Sequence, residues 1–265
     1  MPQIQQIATV SQVLLSMFVK EVDYLDDFDM GDYMGTQTRT IAVFNHGPFS
    51  GPLASACAMI SRMNKLGFGH KRFNSIAHPI VMSFPGLAKA LGLPMHGKKR
   101  FGVEDYIQLF EDNQMDFLGV APEGEYSMYG NGLDVQPFRS PKSIEIALRA
   151  RCDIMLVICK GFEKWQKTIN IQQPWRKKLL KSIMLAQPFV DKIDDAFLKN
   201  ADHYGLPWLM TRIPHLTVYT KRYYPQLQAE DLGHDPKVRR QQLQVEADRM
   251  RSVMQDMVNQ LKQRP

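Results

Sequence analysis

Between residues 39 and 160 the sequence changes period repeatedly, and that alternation constrains the fold more than any other feature. Residues 39–45 read as a strand whose apolar run, Ile41-Ala42-Val43-Phe44, breaks at Asn45-His46-Gly47. Residues 53–65 then read as a helix, 73–78 as a short strand and 85–91 as a helix. The pattern recurs: 103–113 carries Val103, Ile107, Leu109 and Phe110 at mostly helical spacing, 116–121 reads as a strand, 142–151 as a helix and 154–159 as a strand. Strands alternating with helices predict an α/β fold, a mixed and largely parallel sheet covered by helices. With 265 residues, 44% of them hydrophobic, the chain can bury a full core, and the alternation reads as a single domain.

The flanks have different characters. Residues 1–19 carry no Lys or Arg ahead of their apolar part and are interrupted by Gln3, Gln5, Gln6 and Gln12, so they fit neither a secretory signal nor a membrane span. Ile4, Ile7, Val10, Leu14, Met17 and Phe18 recur at near-helical spacing, which predicts an amphipathic helix that packs on the domain or rests in a membrane interface. The acidic stretch 21–35, with Gly31 and Gly35, reads as a linker, so residues 1–35 are expected to precede an α/β domain spanning 36–265. Within that domain, 160–214 reads as an insertion. Its first part is basic, with Lys160, Lys164, Lys167, Arg176, Lys177, Lys178 and Lys181 against Glu163, and Trp165 and Trp175 are interleaved. A strand at 215–219 follows. Asp235-Pro236 is a helix start, with Val238, Val245, Met250, Val253, Met257 and Leu261 as its apolar stripe.

Loops leaving the carboxyl edge of an α/β sheet are where ligands bind. Two such ends carry chemistry-bearing residues: Asn45-His46-Gly47, and the stretch Pro122-Glu123-Gly124-Glu125-Tyr126-Ser127. A histidine, with an ordinary pKa near 6.5, can take a proton from an alcohol, and backbone N–H groups beside Gly47 could face a developing oxyanion. The remaining histidines, including His70, His78, His96, His203, His215 and His234, show no metal-ligand spacing. Cys57, Cys152 and Cys159 follow neither a metal nor a CxxC pattern and read as small core residues in a reduced compartment.

In order along the chain, these blocks resemble the glycerolipid and lysophospholipid acyltransferase family, typified by the 1-acylglycerol-3-phosphate acyltransferases. Asn45-His46 matches the start of its signature and Pro122-Glu123-Gly124 its Pro-Glu-Gly. Leu91-Gly92-Leu93-Pro94 with Lys98-Lys99-Arg100 resembles the middle block, and Pro137-Phe138, Ala147 and 154–158 the block that follows. The resemblance spans roughly residues 39 to 160. It implies acyl transfer from acyl-CoA or an acyl-carrier protein to a glycerolipid or lysophospholipid hydroxyl, with no cofactor and no metal. His46 is then the general base. Asn45, Gly47, Pro122, Glu123 and Gly124 line the substrate, Glu123 accepts from a hydroxyl, and Lys98, Lys99 and Arg100 bind the acceptor's anionic group.

One position departs from that family. Where most members carry an aspartate five residues after the histidine, this chain has Gly51. Type-two diacylglycerol acyltransferases, which resemble the same family, also follow the histidine with glycine, as in His46-Gly47, and do not hold that aspartate fixed. Replacing the orienting carboxylate of a serine-protease triad lowers turnover about 10⁴-fold, so an uncompensated loss would leave little activity. Glu123, Glu125 or a backbone carbonyl could orient the ring instead, and an aspartate restored at 51 should help if the loop keeps the family's shape. The alternative is a catalytically weak or inactive lipid-binding protein of the same fold.

Net charge is +6, which suits a polyanionic partner. No nucleic-acid-binding module accompanies it, so nucleic acid ranks below an anionic membrane surface. The expected location is cytoplasmic, peripheral on the cytosolic face of a membrane, with the basic, Trp-containing segment docking on lipid.

Overall fold

A computed structural model describes residues 1–36, 39–47, 51–76, 101–130, 132–185, 195–207 and 211–264. The expected helix 85–91, the block 91–94, His78, His96 and the basic triplet Lys98, Lys99 and Arg100 lie outside these residues. The central sheet has six strands: β1 (Val19–Asp26), β2 (Thr40–Phe44), β3 (Phe73–Ser75), β4 (Phe117–Val120), β5 (Asp153–Lys160) and β8 (Ile213–Tyr223). Their spatial order is β1-β8-β5-β2-β4-β3. Every neighbouring pair runs parallel except β5 and β8. A separate two-stranded antiparallel ribbon joins β6 (Gln166–Asn170) to β7 (His203–Pro207).

Helices cover both faces, which is why the inner strands read as unbroken apolar runs. On β2, Ala42 and Phe44 enter one core while Ile41 and Val43 enter the other. On β5, Met155, Val157 and Cys159 alternate in the same way with Ile154, Leu156 and Ile158. The first core is closed by α1 (Ile4–Phe18), α2 (Met30–Thr36) and α3 (Gly51–Lys65). The second is closed by α4 (Val103–Glu111), α5 (Lys142–Arg149) and α8 (Pro236–Gln263). Helices α6 (Pro174–Leu185) and α7 (Asp195–Asn200) complete the chain order before β7. The cysteines are unpaired thiols; Cys57 and Cys159 fill the core and Cys152 is half-buried.

Two expectations need correction. The acidic stretch is not a linker, because residues 19–26 form β1, paired in parallel with β8 from Val19↔Ile213 to Asp26↔Thr220. Cations face two of its acids, Arg62 of α3 binding Asp26 and Lys221 Nζ lying 2.7 Å from Asp27, and the His215 ring lies beside Glu21, Nδ1 3.2 Å from its carboxylate. Secondly, α8 begins as expected, Asp235 accepting from the Lys237 backbone N–H at 2.7 Å, but Val238 and Val245 are exposed. The core face is Leu243, Ala247, Met250, Met254, Met257, Val258 and Leu261, which keeps the helical period that the expected stripe did not. Of the two alternatives for the N-terminal helix, α1 takes the packed one, through Ile4, Ile7 and Leu15, while Val10, Val13 and Met17 face outward.

Candidate functional site

Strands β2, β4 and β5 are parallel neighbours, so their carboxyl ends lie on one edge of the sheet. Residues 45–47, 121–124 and 161–162 follow those ends directly. The two sequence blocks expected to meet therefore do meet there, although 77 residues separate His46 from Glu123.

Asn45 is a splice between strands. It is buried, its Nδ2 donates to the Cys159 carbonyl at 3.2 Å, and its Oδ1 accepts from the Cys159 N–H at 2.8 Å. The side chain thus extends the β2–β5 ladder past the last β2 residue. Gly47 adopts φ +56°, and a Cβ there would sit 2.0 Å from Cε2 of Phe162, the fully buried residue after β5 and Gly161. Only glycine fits both the backbone and the contact.

Glu123 is also a strut. Its carboxylate is buried, with Oε1 accepting from the His46 backbone N–H at 2.8 Å and Oε2 accepting from the Gln136 N–H at 2.6 Å. Each oxygen accepts from a main-chain N–H, out of reach of solvent. Burial pushes its pKa up to about 7, although the two N–H donors and the charge of Arg251 pull the other way. Arg251 itself, on α8, donates through Nε to the Val135 carbonyl at 3.0 Å, holding the 135–136 strap that caps Glu123. Pro122 and Gly124 are half-buried; the Pro122 carbonyl accepts from the Arg139 N–H at 2.9 Å. Gly124, at φ +55°, opens the short 3₁₀ helix Gly124–Tyr129.

His46 remains half-buried at this edge, and its ring is held on the Nδ1 side. Ser127 Oγ lies 2.9 Å from Nδ1, and the Gly47 carbonyl oxygen lies 3.2 Å from it. Of the orienting groups anticipated, the backbone carbonyl is present and Glu123 grips the main chain instead. Ser127 was missed. A signal existed: it stands one helical turn after Glu123, so the residue that holds the His46 backbone places Ser127 under the His46 ring. Gly51 has an equally physical reason. A Cβ there would come within 2.5 Å of the His46 carbonyl oxygen and 3.2 Å of Phe162, so an aspartate cannot enter without moving the strand end that carries the histidine. Among the described residues no three His, Cys, Asp or Glu side chains gather as a metal-holding group.

The basic segment divides in a way its composition did not show. Trp165 is buried, its Nε1–H donating to the Thr211 carbonyl at 2.7 Å and its ring packing edge-on against Phe18. Lys160 Nζ donates to the Leu261 and Arg264 carbonyls at 2.9 and 3.1 Å, where it caps α8. On α6, by contrast, Trp175 and Leu179 are 57% and 53% exposed, one turn apart, with Arg176 and Lys178 exposed beside them. The buried Leu180 of the same helix shares a small core with Tyr129, the last residue of the Gly124–Tyr129 turn.

No protein-family model and no curated protein matches the chain. Among solved structures, the fold is similar to the crystal structure of the 1-acyl-sn-glycerophosphate (LPA) acyltransferase PlsC from Thermotoga maritima, with a TM-score of 0.53 and 13% identity over 98% of this chain and 81% of that one. At that identity the likeness is one of fold: a single α/β domain with a mostly parallel sheet and an N-terminal helix.

Proposed function

We propose that this protein is an O-acyltransferase that moves a fatty acyl group from acyl-CoA or acyl-carrier protein to a hydroxyl of a glycerolipid or lysophospholipid, with His46 as the general base. The observation that carries this reading is the His46 ring at the carboxyl edge of a parallel sheet, with its main chain braced by Glu123 and its Nδ1 turned to Ser127 and the Gly47 carbonyl. In this reading Nε2 is the nitrogen that takes the acceptor's proton. The alcohol oxygen attacks the thioester carbonyl, the new C–O bond forms as the proton passes to Nε2, and collapse breaks the C–S bond and returns the proton to the departing thiolate. A thioester is electrophilic enough that positioning and one base supply much of what the reaction needs. In this reading Lys98, Lys99 and Arg100 hold the acceptor's anionic group, and no metal or other cofactor takes part. The fold shared with an acyltransferase supports the same assignment.

No helix among the described residues is long and apolar enough to cross a membrane. In this proposal the lipid acceptor is met at the cytosolic face of an anionic bilayer through α6, where Trp175 and Leu179 supply interfacial contact and the neighbouring cations supply attraction. Incubating the protein with radiolabelled acyl-CoA or acyl-carrier protein and a panel of lysophospholipids, monoacylglycerols and diacylglycerols tests the assignment. The absence of a carboxylate at Gly51 favours a second reading, a lipid-binding protein without turnover. Binding of labelled lipid without product on any acceptor would select it.

A further inference from the structure

We infer that Ser127 is the positioning residue that fixes the tautomer of His46, in place of a carboxylate. The inference rests on the proposed role of His46 and goes beyond it, because it identifies what makes the ring a base. Two carbonyls decide the proton's place. The Gly47 carbonyl oxygen, 3.2 Å from Nδ1, can only accept, so the contact is attractive only when Nδ1 carries the hydrogen. Ser127 Oγ donates its single hydrogen to the Gly124 carbonyl at 2.9 Å, one turn back in the short helix. Its oxygen therefore faces Nδ1, 2.9 Å away, as an acceptor. Both contacts require Nδ1–H and a lone pair on Nε2.

The arrangement is built rather than incidental. Ser127 is 2% exposed, so its hydroxyl has no bulk water to turn to. The positive φ of Gly124 starts the turn that aims the Gly124 carbonyl at Ser127, and Glu123, immediately before it, holds the His46 N–H. One five-residue stretch thereby grips both the main chain and the ring of the histidine. A hydroxyl is neutral, so it sets the tautomer without stabilising the imidazolium as an aspartate would. Space explains the exchange, since Gly51 cannot carry a side chain beneath the His46 carbonyl.

The test is ¹⁵N NMR of the histidine-labelled full chain at alkaline pH, with the His46 signals assigned by their loss in His46→Ala. The parent should show a protonated Nδ1 and an unprotonated Nε2. Ser127→Ala should move both shifts toward a tautomer mixture and lower kcat about tenfold with KM within twofold, while Ser127→Thr, which keeps the hydroxyl, should restore the parent shifts. A parent ring protonated at Nε2, or Ser127→Ala shifts equal to the parent's, overturns the inference. The expected tautomer in a protein that transfers no acyl group would uphold Ser127's role and refute the proposed function alone.

Discussion

The strand ends around His46 and the basic run from Lys160 to Lys181 both carry polar and aromatic residues, yet folding sorts them oppositely. At the strand ends, Asn45, Glu123 and Ser127 are buried, Asn45 bonded to the main chain of Cys159 and Glu123 and Ser127 to His46, and His46 alone among these four stays half-buried. Along the basic run, Trp165 and Lys160 are drawn into the structure, while α6 turns Trp175, Leu179, Arg176 and Lys178 outward. A buried polar group must be satisfied by the protein itself, so the first region spends its polar atoms on holding one ring still. The second turns an indole, a leucine and two cations to the surface, with the Trp175 N–H donating to Gln173 Oε1 at 2.6 Å and Arg176 to the Asn170 carbonyl at 2.9 Å.

Paired substitutions sharpen this contrast. Trp165→Ala removes a fully packed indole and should cost about 4 kcal/mol of stability by chemical denaturation. Glu123→Ala strands the His46 and Gln136 N–H groups and should cost about 3 kcal/mol. That cost should depend on pH. Burial places the Glu123 pKa at about 7, above the unfolded value near 4.3, so the native state binds the extra proton between these values. Stability linked to this group is fully present below the unfolded pKa and lost as pH rises through about 7. The gap between parent and Glu123→Ala should therefore narrow as pH rises from 5 to 8, on the order of the linkage given by that shift.

Gly51→Asp comes next in size. Restoring the familiar carboxylate should lower stability by about 2 kcal/mol and slow acyl transfer, because its Cβ displaces the His46 carbonyl; a faster enzyme would show that the loop has room. The smallest effect on stability belongs to Trp175→Ala, within about 0.5 kcal/mol of the parent, paired with weaker sedimentation on anionic vesicles. Replacing Arg176, Lys177, Lys178 and Lys181 with Gln should weaken that binding further, by roughly 1 kcal/mol per charge at low salt. Equal binding to neutral and anionic vesicles would break the comparison on its exposed side.

Much of the frame was legible in the sequence because fully buried parallel strands must be apolar throughout: β2, β4 and β5 announced themselves, as did the Asp235 cap of α8. Strand β1 was hidden because its acids meet Arg62, Lys221 and His215, partners brought from 36 to 194 residues away. Val238 and Val245 misled because apolar identity was weighed above spacing. At the site, His46 and its meeting with Glu123 were legible from residue type and order. The roles of Asn45, Glu123 and Ser127 were not, since each depends on which main-chain atom its side chain reaches, and composition carries no trace of that.

The most direct measurement of the central claim is the rate of acyl transfer by the parent and by His46→Ala, matched for folding by thermal melting and assayed across the acceptor panel. The account predicts transfer to at least one glycerolipid or lysophospholipid hydroxyl by the parent and a loss of about 10³-fold or more in the variant, the scale expected when a general base is removed. Equal turnover in the two proteins would contradict it.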